Sequence, residues 1–500
     1  MSKSWEIEGF LQDVKGHLHI DGVSAVGLAE QYGSPLFVFS ETRIRQKIAR
    51  ISRAENAMGC PLKICYAAKA NSVMGVLGVV KNAGCDIEVN SGGELWKALK
   101  AGFTGEQIIF NGTSKEAWEI EEAINAGIYA IQVDSIYELS LIEETARRLG
   151  KRANVSLRLV PEIESGTHSG LQTALLTSKF GMMPAEALSA FAKYKDSPHL
   201  DLCGIHLHVG SQNPEPEVYH EALSILVATM ARIRRDTGVS VKHINLGGGF
   251  PVDYLAAGPE TTMTEEERHV LGANYDPAAA ITTAWRAANL VAEQSDDEDL
   301  LDGLTILVEP GRSIIADAGI CLTTVRNAKQ RPVLSGSPPY EGGVAVPTAS
   351  VGTAGVVLSA SDRATEVGTK NVDTWLLTDA GFNILLSMET YKWYYHLISA
   401  SSSGEPHDTP YKVAGPLCDG GDVYFDIEGK GRLPDYRFLP ENVPPGEVLA
   451  LLNCGAYSLS QASQYNGRFL PAVVMVRDNG EAEVIRKRDD FDDLARNEIF

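Results

Sequence analysis

The chain has 500 residues, 44% hydrophobic and 22% charged, a globular composition long enough for more than one domain. Its formal net charge is −21 and its pI about 5.0, so it repels phosphate backbones and nucleic acid is not an expected partner. The opening segment MSKSWEIEGFLQDVKG carries Glu6, Glu8 and Asp13 without an apolar run, and no stretch is long enough to cross a bilayer; a cytoplasmic chain without membrane contact is expected. Seven scattered cysteines make no CxxC pair, which fits reduced thiols and neither a disulfide framework nor a metal site.

Short β-type runs then recur in chain order. They are LKICYA (62–67), DIEV (86–89), IIF (108–110), AIQV (130–133), VSLRLV (155–160), LCGIHLHV (202–209), HINLGGGF (243–250) and TILVEPG (305–311). The first five begin roughly 22 to 25 residues apart, the length of one βα unit. Amphipathic stretches such as SIYELSLIEETARRLG lie between them, with Leu139, Ile142 and Ala146 at helical spacing. The pattern predicts an α/β fold, a (β/α)8 barrel over 35–312. Beyond residue 312, short runs split by Gly and Pro predict a mainly β second domain over 313–500, which residues 1–34 are expected to join. Residues 255–303, with the acidic loop SDDEDLLDG, and 330–372, rich in Gly, Ser, Val and Ala, read as insertions.

Active sites of such barrels lie at the C-terminal ends of the strands. Those ends supply Lys69, Asp86 with the turn Ser91 to Glu94, Arg158, then His206, His208 and Ser211, then Gly247, Gly248 and Gly249, then Glu309, Gly311 and Arg312. Three consecutive glycines let a backbone approach a ligand and aim N–H groups at it. With Arg312 on the next strand they form a candidate phosphate site. Lys69 and Glu309 face the same mouth. A ligand with a phosphate, an aldehyde and a protonatable ring nitrogen would use all three, which describes pyridoxal phosphate. Lys69, activated by apolar surroundings, would bond the aldehyde; Glu309 would hold the ring N–H; His208 would lie against the ring.

The segments YAAKAN, NSGGEL, GTHSG, SKFG, HLHVGSQ, NLGGGFPVDY, VEPGRSI, TDAGFN, GPLCDGGD and GAYSLSQASQYNGR, in this order, resemble the fold-type III pyridoxal-phosphate decarboxylases. That group contains diaminopimelate, ornithine and biosynthetic arginine decarboxylases, and the detailed pattern is most similar to diaminopimelate decarboxylase. The resemblance implies an alanine-racemase-like barrel, an amino-acid substrate and a homodimer whose sites are completed across the interface. It implies that Cys418 and Asp419 come from the partner subunit, the cysteine as proton donor after carbon dioxide leaves. It places Tyr457 against the cofactor, and Arg312, Tyr391, Asp419 and Tyr457 against substrate or phosphate. The expected reaction is meso-2,6-diaminopimelate to L-lysine. Two departures bear on that substrate: Ser387 and Met388 stand where Arg-Pro is usual, and Cys418, Asp419, Gly420 where Cys-Glu-Ser is usual. A bidentate arginine suits a distal carboxylate, so another diamino acid in polyamine or siderophore-like metabolism stays open. So do a racemase, which Glu309 argues against, and a cofactor-binding protein without activity.

Overall fold

The computed structural model describes residues 3–160, 163, 166–167, 172, 178–258, 263–295, 297, 299–332 and 372–499. Four short strands come first: β1 (Leu11–Val14), β2 (His17–Ile20), β3 (Val23–Ser24) and β4 (Leu36–Ser40). Eight parallel strands then close into a barrel: β5 (Leu62–Ala67), β6 (Asp86–Val89), β7 (Ile108–Phe110), β8 (Ala130–Val133), β9 (Ala153–Arg158), β10 (Leu200–His206), β11 (His243–Asn245) and β12 (Thr305–Val308). β12 pairs with β5 to complete the ring. The helices between them follow the sequence periodicity. Helix Ile136–Leu149 starts at Ser135, whose hydroxyl accepts the Glu138 N–H, ends at left-handed Gly150, and buries Leu139, Ile142 and Ala146.

The second domain is built on β13 (Gly319–Pro332), β14 (Val372–Thr378), β15 (Leu397–Ser399), β16 (Thr409–Ala414), β17 (Arg437–Leu439), β18 (Val448–Leu451), β19 (Ala472–Val476) and β20 (Ala482–Arg486). Its main path runs β17-β16-β14-β13-β4-β19-β20, with β18 on β13 and β15 on β18. β4 lies in the middle of that sheet, antiparallel to β13 and parallel to β19. The expected boundary at residue 34 is thereby corrected: residues 36–40 belong to the sheet. All five are buried, as a central strand requires. Strands β1–β3 form a separate small sheet. Its Leu11, Leu18 and Ile20 share one core with Leu36, Val38, Ile320 and Ala450.

The stretch 255–303, read as an insertion, contains an integral barrel helix. Helix Pro277–Glu293 buries Ile281, Ala284, Trp285 and Ala288 in the main core and leads into β12. Its alanine-rich face hid the periodicity, because alanine is weakly hydrophobic yet packs closely. Of the expected insertion at 330–372, residues 333–371 lie outside the described residues, while its flanks pair, Pro332 opposite Val372.

The two domains meet at the barrel mouth through the loop 453–457. Tyr457 N–H donates to Ala70 O at 2.8 Å, and Asn71 Nδ2 donates to Gly455 O at 3.1 Å. A Cβ on Gly455 would sit 1.8 Å from Ile315 O. Gly455→Ala should therefore push this loop off the barrel. A loss of about 1–3 kcal/mol in unfolding free energy is expected, measured by denaturant titration.

Candidate active site

β5 ends in a single 3-10 turn, Ala68–Ala70, which lifts Lys69 over the barrel mouth. Its ammonium lies 3.1 and 3.2 Å from the two oxygens of Glu88, a fully buried residue on β6. Asn111 Nδ2, just beyond β7, donates to Glu88 Oε1 at 3.0 Å and to Glu309 Oε1 at 2.8 Å. Asn245 Nδ2, at the end of β11, donates to the same Glu309 oxygen at 2.7 Å. His206 Nε2 lies 3.6 Å from it. A chain of contacts thus runs from Lys69 to Glu309 across the mouth.

The charges follow from this arrangement. Burial disfavours the Lys69 ammonium, but Glu88, Tyr457 and Glu309 outweigh it and hold its pKa above the usual lysine value. The expectation of a lysine activated by apolar surroundings is therefore corrected: before cofactor binds, Lys69 is a paired cation with 38% of its side chain exposed. Glu309 goes the other way. Burial, reinforced by Glu88, raises it to about 7, against the opposing effects of Lys69 and the two amide donors. Burial, then Arg158 and Lys69 among other positive neighbours, pushes His206 well below its usual value; burial, then Lys69 and Arg158, does the same to His208.

The glycine turn follows β11. Gly247 and Gly249 have positive φ, 69° and 100°, and a Cβ on Gly248 would lie 2.2 Å from Glu309 O. Only glycine lets these two strand ends approach so closely. Gly248 N–H donates to His208 Nδ1 at 3.0 Å, which fixes that ring beside the turn. Gly311 precedes the short helix Arg312–Ile315. Arg312 is buried: Nη1 donates to Tyr254 Oη at 3.1 Å, Nε and Nη2 point at Ser211 Oγ, and the guanidinium lies 4.5 Å from the Trp393 ring centre and 4.8 Å from that of Tyr457. Arg158 lies 4.2 Å from the Phe180 ring centre.

Some expected residues do not join this cluster. Asp86 opens β6 at the opposite, N-terminal end of the barrel and pairs with Lys63 at 2.6 Å; it is corrected to a structural ion pair. Ser91 and Glu94 cap the helix Gly92–Lys100, Ser91 Oγ accepting the Glu94 N–H and Glu94 accepting that of Asn90. Cys418 and Asp419 are exposed on a loop, and their hydrogen bonds among the described residues are to residues 421, 422, 465 and 466, not to Lys69: Cys418 N–H donates to Asn466 Oδ1 at 2.7 Å, and Tyr465 Oη lies 3.3 Å from Asp419 Oδ2. Tyr391 ends the helix Leu386–Thr390. Three members of the network were missed: Glu88, Asn111 and Asn245. The signal for Glu88 was present. Side chains two apart on a strand share a face, so Asp86 implied Glu88, nearer the mouth.

A family model for the pyridoxal-dependent decarboxylase, pyridoxal binding domain, matches residues 44–316. The chain belongs to the pyridoxal-dependent decarboxylases. It is 30% identical to the diaminopimelate decarboxylase of Bacillus subtilis over 98% of this chain and 96% of that one. To that of Methanothermobacter thermautotrophicus it is 32% identical over 97% and 96%. The crystal structure of the M. jannaschii diaminopimelate decarboxylase in complex with L-lysine superposes with a TM-score of 0.77 at 28% identity, covering 98% of both chains.

The site fits the cofactor of this family on its own chemistry. Glu309 is a buried carboxylate whose direct partners are two neutral amides, which leaves room for a cationic ring N–H. Among the described residues no group of His, Cys, Asp or Glu could hold a metal ion, and no helix is long and apolar enough to cross a membrane.

The Glu309 proton gives a test in the cofactor-free protein. The folded carboxyl keeps its proton to about pH 7, whereas an unfolded one loses it near 4.5. Between these values the folded form holds the extra proton, so stability falls as pH rises, and the full penalty is present above about 7. Glu309→Gln should stabilise the apo-protein above pH 7 by on the order of 3 kcal/mol, and the difference should vanish below pH 4.5, followed by denaturant titration across pH.

Proposed function

We propose that this protein decarboxylates meso-2,6-diaminopimelate to L-lysine as a cytoplasmic homodimer, with Lys69, Glu309, His208, Ser211, Gly247–Gly249 and Arg312 holding pyridoxal phosphate. The observation that carries the substrate is the match, about 30% identical and nearly full-length, to diaminopimelate decarboxylases of several bacteria and archaea. Bound pyridoxal phosphate withdraws the electron pair of the bond between Cα and its carboxylate.

The chain's own groups do the rest. Lys69 must release its proton before it can bond an aldehyde, and Glu88, 3.1 Å away, is placed to take it. Glu309 keeps a proton on the ring nitrogen, with its own oxygen fixed by Asn111 and Asn245. The glycine turn, Ser211 and Arg312 bind phosphate. Loss of carbon dioxide leaves an electron pair at Cα that takes up one proton, and Cys418 of the other subunit supplies it.

A second substrate is favoured by one observation. Ser387 is buried and its hydroxyl donates to Gln461 Oε1 at 3.3 Å, where the family pattern has an arginine. The nearby Lys392 is already paired with Glu389 at 2.9 Å. A diamino acid without a distal carboxylate, its amine meeting Asp419, suits that setting.

The deciding experiment measures carbon dioxide release from the holoenzyme with meso-diaminopimelate, L- and D-ornithine, L- and D-lysine and L-arginine. Diaminopimelate should be turned over at least tenfold faster than any other; preference for an amine-ended substrate sinks the lysine assignment. Lys69→Ala should abolish the visible cofactor band that borohydride otherwise traps on Lys69. Shared sites have their own check: Lys69→Ala and Cys418→Ala, each nearly inactive alone, should recover activity when mixed and allowed to exchange subunits. No recovery would mean that Cys418 does not act across an interface.

A further inference from the structure

The barrel interior is divided. On one side Cys65, Ile109 and Leu307 form a small apolar cluster. On the other, one register row across four strands carries three polar side chains and a glycine: Gln132 on β8 lies opposite Ser156 on β9, Ser156 opposite Gly204 on β10, and Gly204 opposite His243 on β11. Register partners in a parallel sheet point to the same face, and a Cβ on Gly204 would fall 2.1 Å from His243 Nε2, so that ring lies over the glycine. One layer higher, His206 is the partner of both Arg158 and Asn245, and Nε2 of His206 is 3.6 Å from Glu309. Gln132, Ser156, His206 and His243 are all at most 1% exposed. Among the described residues, both side-chain polar atoms of Gln132, the Ser156 hydroxyl, and both ring nitrogens of each histidine have no hydrogen-bond partner. Below this column a cleft of about 530 Å³ opens at the N-terminal end of the barrel, lined by His243, Tyr129, Cys203, Asp201, Lys63 and Lys242.

Buried polar groups that lack protein partners are satisfied by ordered water. We infer that Gln132, Ser156, His243 and His206 hold a file of water molecules through the barrel, from the cleft at its N-terminal end to Glu309, and that this file carries protons between solvent and the Glu309 carboxyl when ligand fills the mouth. The transfer is balanced: a proton enters at the cleft, each water or imidazole passes one on, and the carboxylate becomes a carboxyl. The groups that act on Glu309 are Lys69, Glu88, Cys65, Arg158 and His206, with the neutral amides of Asn111 and Asn245. On this reading the orphaned column joins Glu309 to the cleft without passing through the mouth. This inference rests on the cofactor dependence and not on the identity of the substrate.

Two measurements test it. A crystal structure of the holoenzyme at about 1.5 Å should show waters within hydrogen-bond distance of Ser156 Oγ, Gln132 and both histidines; a dry column, with these side chains bonded to one another, overturns the proposal. In a stopped-flow pH jump with the mouth filled by L-lysine, the visible cofactor band should relax at least tenfold more slowly in Ser156→Val/Gln132→Leu than in the unmodified holoenzyme. Equal rates overturn the proposal. A shift of the cofactor band on adding L-lysine shows independently that the mouth is filled, so failure of the substrate reading and failure of the proton route are distinguished. If the double variant does not fold, Ser156→Ala serves, since it removes one hydroxyl and adds no volume.

Discussion

A lysine and two glutamates meet in the mouth of this barrel, and their mutual compensation organises the site. Glu88 and Glu309 are both buried, and the charge of Glu88 adds to the burial that raises the pKa of Glu309. Lys69 neutralises the first. The second is left with amides and a raised pKa. Asn111 donates to both, so neither carboxylate can move without disturbing the other. In the proposed binding mode the cofactor would act on this balance, because Lys69 would give up its ammonium and Glu309 would gain a cationic ring nitrogen as partner.

The second domain has a positional role in that balance. Its loop at 453–457 docks on Ala70, Asn71 and Ile315, and Tyr457 then faces Arg312. Trp393 covers the same guanidinium from another segment of the same domain. Stacking between two aromatic rings fixes a planar cation without a carboxylate to neutralise it, which keeps Arg312 available for an anion. Because β4 runs through the middle of the second-domain sheet, the chain is committed to both domains before the first barrel strand is made.

Substrate selection is a separate matter from cofactor binding. The cluster of Lys69, Glu88, Glu309 and Arg312 lies within one chain, on barrel strand ends and against the docked loop. Cys418 and Asp419 lie on an exposed loop of the second domain, outside that network. Their chemistry belongs to the proposed dimer. Ser387 is held by Gln461, so the replacement of the usual arginine is accommodated inside the chain without leaving a buried polar gap.

The sequence by itself determined the architecture and the parts of the site carried by local rules. Apolar runs bounded by polar residues placed all eight barrel strands, because strand alternation and helix periodicity are written in consecutive residues. Gly247–Gly249 and Arg312 were legible for the same reason. Tertiary structure decided what depends on which groups meet. It set Asp86 at the far end of the barrel, paired with Lys63, and Glu88 at the mouth, paired with Lys69. It brought Asn111 and Asn245, far apart in sequence, onto one oxygen of Glu309. It also turned Lys69 from a residue expected in apolar surroundings into half of an ion pair, since a side chain's charge state depends on its neighbours in space.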